Sequence, residues 1–282
     1  MSCSKAVDKD GAHSEKEVFR VWVLADIQPR NSSHKASFTQ AINDINKNVH
    51  DIKLSIVAGD IVHKTESETF DWYLKERNKS YIDNWYEIIG NHDLKTDKGK
   101  LFREKLREDI HYSKEFGNLL FIFLSDEIKG KPTDINEDTF QWWKNLVINN
   151  QDKIIVVVTH APLEGSNIPL STQSNRQILG SDRFIEVLKK YNVDLWLSGH
   201  LHLPHEFSNT LNKNHELNDT VFVHISSIRP EFLGLKHSQS RVLDFYCNED
   251  KVVIKSRDHD SKNWNNEIEE EITLSKRVVC KP

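Results

Sequence analysis

The chain has 282 residues and a formal net charge of −5 at neutral pH, and 37% of its residues are hydrophobic. This length and apolar fraction predict a folded α/β body with an extensive core. Basic residues form no cluster along the sequence, so nucleic acid is not an expected partner. The apolar runs are far shorter than the ~20 residues that cross a bilayer, so no membrane partner is expected either.

Cys3, Cys247 and Cys280 lie far apart in sequence and include no C-x-x-C pair. We therefore expect neither a disulfide framework nor a zinc knuckle. The first 17 residues are polar and lack the apolar segment of a secretory signal. Residues 1–17 are accordingly predicted to be a disordered tail, and the protein is predicted to be cytoplasmic.

Alternating strands and helices follow this tail. Apolar, β-branched runs predict strands over residues 19–24, 54–58, 85–89, 119–125, 154–158 and 194–197. Apolar spacing of three and four predicts helices over residues 37–48, 66–77, 98–106 and 182–190, with a further helix capped by Asn136 and packed through Trp143. Residues 111–112 are predicted to pair antiparallel with the strand over 119–125.

The last part of the chain is rich in predicted strands, over residues 221–225, 242–247 and 252–255. The simplest division is one domain over residues 18–260, followed by an extension over 261–282 that either adds a strand or trails off. The metal-like triplet Asp258-His259-Asp260 is expected to be exposed.

Five predicted strands run into short loops that carry Asp, Asn or His. These residues are Asp26, Asp60, Asn91, His160 and His200. Because the carboxyl ends of strands in an α/β sheet form one ligand-binding edge, we expect these side chains to converge. Carboxylates, amide oxygens and imidazoles suit Mn, Fe, Zn or Ni, and the donors are numerous enough for two ions that share one carboxylate.

The motifs that carry these donors are Asp26-Ile27-Gln28, Gly59-Asp60, Gly90-Asn91-His92-Asp93, His160 and Gly199-His200-Leu201-His202. In this order they resemble the calcineurin-like metallophosphoesterase superfamily. The resemblance implies a four-layer α/β/β/α sandwich, with two mixed sheets flanked by helices. Gln28 stands where the commonest pattern has His, a variant similar to a subset containing manganese-dependent diphosphatases that act on nucleotide-like diphosphates.

The resemblance also implies a ligand set. Metal one would be held by Asp26, Gln28, Asp60 and His202, and metal two by Asp60, Asn91, His160 and His200. Asp60 would bridge them. An amide oxygen at position 28 favours Mn²⁺, with Fe²⁺, Zn²⁺ or Ni²⁺ as alternatives. If Gln28 is only structural, the enzyme would work with one tightly bound ion.

Two such cations would lower the pKa of a water between them toward ~7, so that hydroxide would attack phosphorus. His92 is expected to donate a proton to the leaving oxygen or, alternatively, to orient its neighbours. Asp93 would fix the His92 ring or cap the local turn. Asn91, Arg30, His63 and Arg229 are candidate substrate contacts, with Lys64 and His205 as further loop cations.

The predicted function is hydrolysis of a phosphodiester or diphosphate bond in a small nucleotide-like or other organic phosphate. Two alternatives stay open: a nuclease, which needs a basic groove, and a non-catalytic scaffold with the same fold. Phosphoprotein phosphatases of the superfamily carry Gly-Asp-x-x-Asp-Arg-Gly, whereas this chain reads Gly59-Asp60-Ile61-Val62-His63-Lys64, so that activity is ranked low.

Overall fold

The computed structural model describes residues 16–127, 133–229 and 237–280. Its strands are β1 (Val18–Leu24), β2 (Ile52–Val57), β3 (Trp85–Glu87), β4 (His111–Phe116), β5 (Leu119–Leu124), β6 (Ile154–Thr159), β7 (Leu195–Ser198), β8 (Leu211–Asn214), β9 (Thr220–His224), β10 (Gln239–Tyr246), β11 (Lys251–Asp258), β12 (Asn263–Trp264) and β13 (Glu270–Thr273). Its α-helices are α1 (Ser32–Asn48), α2 (Ser67–Arg77), α3 (Lys100–Lys105), α4 (Glu137–Asn149) and α5 (Ser181–Leu188). Short 3₁₀ helices span Glu164–Ser166, His215–Leu217 and Asn266–Ile268.

The strands form two mixed sheets. The first has the order β12-β11-β10-β1-β2-β3, with β13 paired to β11, and the second has the order β4-β5-β6-β7-β9-β8. Strands β1, β2 and β3 run parallel, as do β5, β6, β7 and β9. Each sheet is completed by antiparallel strands, β10 beside β1 and β4 beside β5.

Each sheet buries both of its faces, because successive side chains on a strand point to opposite sides. Val21 and Val23 of β1 point into the layer between the sheets, together with Phe121 of β5, whereas Trp22 packs under the helices of the first sheet. On the other side of the second sheet, α4 and α5 pack through buried aromatic rings that include Trp143. The two mixed sheets and the flanking helices confirm the predicted sandwich.

Asparagine caps set the starts of two helices. The Asn136 side chain accepts a hydrogen bond from the Thr139 N–H and begins α4, as predicted. The Asn31 side chain accepts one from the His34 N–H, so α1 begins at Ser32, five residues before the predicted start. The first turn of α1 is polar, so the spacing of apolar residues did not predict it. Among the described residues, no helix is both long enough and apolar enough for a membrane span.

The C-terminal residues return to the first sheet. Strand β13 pairs with β11, and Val278 forms a bridge with Cys247. This return brings Cys280 beside Cys247, and the two form a disulfide across a sequence separation of 33 residues. The expectation of no disulfide is therefore wrong, because the pairing depends on where the chain returns and not on cysteine spacing. Most of the predicted tail, residues 1–15, lies outside the described residues.

The expectation that His259 is exposed is also wrong. Its ring is fully buried, with Nδ1 2.8 Å from Asp44 Oδ2 and Nε2 2.8 Å from Ser240 Oγ. Arg257 donates two further hydrogen bonds to the same Asp44 carboxylate, at 2.8 and 2.6 Å. This buried cluster links α1 to the end of β11. The metal-like triplet therefore contributes to the stability of the fold.

Candidate metal centre

The seven predicted metal ligands lie together at the carboxyl ends of strands from both sheets. Asp26 and Gln28 follow β1, Asp60 follows β2, Asn91 follows β3, His160 follows β6, and His200 and His202 follow β7. The two sheets meet at this edge, and hydrogen-bonding distances link the seven side chains into one group. The structure thus brings these residue types together, as predicted.

One half of the group is formed around Asp26. Its Oδ1 lies 3.0 Å from His202 Nε2 and 3.4 Å from Gln28 Nε2. Gln28 Nε2 also lies 3.0 Å from Asp60 Oδ2 and 3.0 Å from His202 Nε2. These four residues are those predicted for metal one. Coordination by Gln28 requires its amide to turn over, because in the structure Oε1 accepts a hydrogen bond from Arg229 Nη1 at 3.2 Å.

The other half is formed around His160. Its Nε2 lies 3.4 Å from Asp60 Oδ1, 3.2 Å from Asn91 Oδ1 and 3.2 Å from His200 Nδ1. Asp60, His160 and His200 each offer one ligand atom within 4.8 Å of the others, which is close enough to hold a single ion. Asp60 thus directs one carboxylate oxygen to each half, which allows it to act as a bridging ligand.

The backbone turns sharply at the ligands. Asp26, Asp60, His200 and His202 have φ values of 52°, 55°, 70° and 56°. This left-handed region is sparsely populated by residues with a Cβ, and its use costs free energy that the surrounding structure must supply. Such residues are concentrated at functional sites because the turn aims a side chain off the end of a strand.

Motif glycines make room for the carboxylates. A Cβ on Gly90 would lie 2.5 Å from Asp60 Oδ1, and one on Gly199 would lie 2.7 Å from Asp26 Oδ2. Both distances are shorter than real Cβ atoms allow. The glycines of the Gly-Asn-His-Asp and Gly-His-x-His motifs are therefore needed for close packing around the ligands.

Backbone carbonyls orient two of the imidazoles. His160 Nδ1 lies 2.9 Å from the Ala58 carbonyl oxygen, and His200 Nε2 lies 3.3 Å from that of Asn175. A carbonyl oxygen can only accept, so each of these nitrogens carries the hydrogen. The other nitrogen of each ring then faces the group, which is the usual arrangement of a metal-binding histidine.

The charges of the group suit cations. Asp26 and Asp60 are at most 1% exposed. Burial alone would raise the pKa of Asp26, but the charges of His202 and His160 hold it below its ordinary value. Burial and His160 lower the pKa of His200 to about 4, so this ring is neutral and available as a ligand. Two buried carboxylates among imidazoles and amides match the donor set of a site for divalent metals.

His92 lies at the edge of this group and lines the cleft in front of it. Its backbone N–H donates to Asp60 Oδ1 at 2.7 Å, which fixes its position relative to the ligands. Lys95 Nζ lies 2.7 Å from Nδ1 of the ring, and the His63 ring packs at 4.7 Å between centroids. His63 therefore supports His92 from behind and, in contrast with its predicted role, does not line the cleft.

Asp93 stabilises the loops rather than the His92 ring. Its carboxylate accepts hydrogen bonds from the backbone N–H groups of Gly90, Ile61 and Val62 at 2.9, 3.3 and 2.9 Å. These contacts join the loop after β3 to the loop after β2. Of the two predicted roles for Asp93, the structure shows the one that caps local backbone.

Three arginines line the same cleft, which has a volume of about 430 Å³. Arg30 and Arg229 were predicted, and so was Asn91, which also lines it. Sequence reasoning missed Arg176, because it lies in a polar loop before α5 that carries no motif. His205 is buried away from the cleft, with Nδ1 2.7 Å from Ser256 Oγ, so its predicted substrate contact is not formed.

Comparisons with known proteins agree with this geometry. A probable cyclic nucleotide phosphodiesterase of Xenorhabdus bovienii is 26% identical over 163 residues, which cover 56% of this chain and 64% of that relative. The match thus spans less than two thirds of the relative's length.

Solved structures share the fold. A purple acid phosphatase from yellow lupin (Lupinus luteus) seeds has a TM-score of 0.69 at 14% identity, over 92% of this chain and 54% of that one. GAP50, described as the anchor in the inner membrane complex of Plasmodium, has a TM-score of 0.64 at 15% identity, over 92% and 90%. Residues 19–204, most of the chain, match the Calcineurin-like phosphoesterase family, and the chain belongs to that family.

Proposed function

We propose that this protein hydrolyses a phosphodiester or diphosphate bond in a small, nucleotide-like organic phosphate, with two divalent metal ions. The observation that carries the proposal is the convergence of seven donors in two halves that share Asp60. Family membership supports phosphoester hydrolysis that depends on divalent metal. The relative described as a probable cyclic nucleotide phosphodiesterase supports the nucleotide-like substrate class.

Metal ions bound here would supply a water of lowered pKa and would neutralise charge on the phosphate oxygens. The chain's own residues supply position and protons. Asp60 holds the two halves together through its two oxygens, and its bond to the His92 N–H fixes His92 at the cleft. Asn91 lines the same cleft, where its amide can bind a phosphate oxygen. His92 is placed to give a proton to the leaving oxygen.

Mn²⁺ is the proposed metal, because Gln28 offers an amide oxygen where an imidazole is commoner, and oxygen donors favour a harder ion. Cytoplasmic location stays a prediction. The Cys247–Cys280 disulfide argues against it, because such bonds persist mainly in oxidising compartments.

The test is metal restoration. Protein treated with a chelator is assayed against bis-p-nitrophenyl phosphate, cyclic nucleotides and nucleotide diphosphate conjugates, before and after addition of Mn²⁺, Fe²⁺, Zn²⁺ or Ni²⁺. We expect Mn²⁺ to restore turnover, and Asp60→Asn to remain inactive with every ion. Absence of turnover with every ion and substrate would favour the scaffold alternative, and turnover of polynucleotides alone would favour the nuclease.

A further inference from the structure

The cleft in front of the metal ligands is lined by cationic side chains. Arg30, Arg176 and Arg229 contribute to its wall, and Leu201 is the apolar residue among the described lining residues. A cleft with so little apolar surface recognises its ligand mainly through charge and hydrogen bonds, because burial of apolar area contributes little there. The question is which part of the substrate these arginines bind.

The metal ions of the proposed function would already balance the phosphate that is cleaved. Two divalent cations bring four positive charges, and the carboxylates of Asp26 and Asp60 offset two of them. The remaining two match a phosphodiester monoanion and the hydroxide that attacks it. Arg176 therefore adds positive charge that a phosphodiester with one negative charge does not require.

Apart from Asp60, no acidic residue of the described part of the chain lines the cleft. Asp93 and Asp126 are fully buried behind the ligands, and neither lines the cleft. Among the described residues, the charge of Arg176 is thus left for the substrate to neutralise.

Arg176 and Arg229 belong to opposite halves of the ligand group. Arg229 contacts the metal-one residues Gln28 and His202, with Nη2 3.3 Å from His202 Nδ1. Arg176 directly follows Asn175, whose carbonyl oxygen lies 3.3 Å from Nε2 of the metal-two residue His200. The loop is further ordered by a bond from the Arg176 N–H to the Gln173 carbonyl at 2.7 Å. Arg176 is thereby placed at the rim on the metal-two side.

We propose that Arg176 is a specificity-determining residue that binds a second phosphate of the substrate, next to the phosphate that is cleaved. A guanidinium group suits this role because its planar N–H donors bind two phosphate oxygens at once. The inference rests on the proposed function and adds to it the residue that distinguishes a substrate with two phosphates from one with a single phosphate.

The experiment compares two probes in Mn²⁺-loaded protein. Bis-p-nitrophenyl phosphate carries one negative charge, and UDP-glucose, a diphosphate diester, carries two. Arg176→Gln should raise KM for UDP-glucose by about 10- to 100-fold, the range for loss of a charged hydrogen bond. Its kcat should change little, and kcat/KM for bis-p-nitrophenyl phosphate should fall by a much smaller factor than that for UDP-glucose. Arg176→Lys should recover part of the loss, because it keeps the charge without the paired donors.

Arg277→Gln serves as the matched control, because Arg277 is exposed beside the β4–β5 turn and does not line the cleft. Equal losses with both probes, or loss of bound metal in Arg176→Gln, would show that Arg176 only supports the loop. Wild-type turnover of bis-p-nitrophenyl phosphate without turnover of UDP-glucose would overturn this inference alone. Turnover of neither probe, nor of any cyclic nucleotide or other nucleotide diphosphate conjugate, would overturn the proposed function itself.

Discussion

The contribution of the Cys247–Cys280 disulfide to the free energy of unfolding can be estimated from the length of the loop that it closes. It closes a loop with a sequence separation of 33 residues. In the chain-entropy description, a loop of this length restricts the unfolded chain by roughly 12.5 cal/mol/K, which is about 3.7 kcal/mol at 25 °C. Replacing either cysteine by serine should lower the free energy of unfolding by about this amount. The double replacement should lower it no further, because both changes remove the same bond.

Urea unfolding followed by tryptophan fluorescence measures the loss, with Cys3→Ser as the control that leaves the disulfide in place. Turnover should be retained below the unfolding transition, because the disulfide lies far from the ligands. Cys247 directly follows Tyr246, which pairs with Val18 at the start of β1. Asp26 lies beyond the other end of that strand, so the length of β1 separates the two sites. A loss below about 0.5 kcal/mol, or three free thiols in denatured, unreduced protein, would show that the disulfide does not stabilise the fold in this way.

Three further predictions concern single side chains. His92→Ala should lower kcat by ~10²- to 10⁴-fold and leave the metal content unchanged in elemental analysis, whereas loss of metal would give His92 a structural role. Asp60→Asn should lower the content of both ions together, since Oδ1 and Oδ2 face different halves; retention of either ion at full occupancy would argue against a bridge. Asp44→Ala should destabilise the protein by ~3–5 kcal/mol in urea, because it leaves Arg257 and His259 buried without their carboxylate. A change in turnover per folded molecule would instead connect that cluster to the site.

Much of the fold could be predicted because each local pattern agreed with its tertiary environment. The β1 and β6 runs are apolar on both faces, as strands buried between other layers require. Strand β8 was missed because its residues, Leu211–Asn214, are largely polar and pair at the edge beside β9. Strand β13 reads Glu-Glu-Ile-Thr, and only its pairing with β11 makes it a strand.

Residues of the candidate site could be predicted from sequence where a metal-binding residue type stands at the end of a predicted strand. Asp60 and His160 each directly follow a strand run or a motif glycine, so their edge position could be inferred. Arg176 and the Cys247–Cys280 pair could not, because both depend on the path of a loop in space. His63 was misplaced for a related reason, since sequence shows that it is near the motif but not that its ring packs behind His92.

The proposed function requires that these side chains hold two metal ions that share Asp60. Crystals grown with Mn²⁺ and measured at the manganese absorption edge test it directly, because anomalous scattering locates each ion. We expect two peaks ~3.5 to 4 Å apart on either side of the Asp60 carboxylate, one beside Asp26 and His202 and one beside His160 and His200. A single peak, or manganese bound elsewhere on the chain, would contradict it.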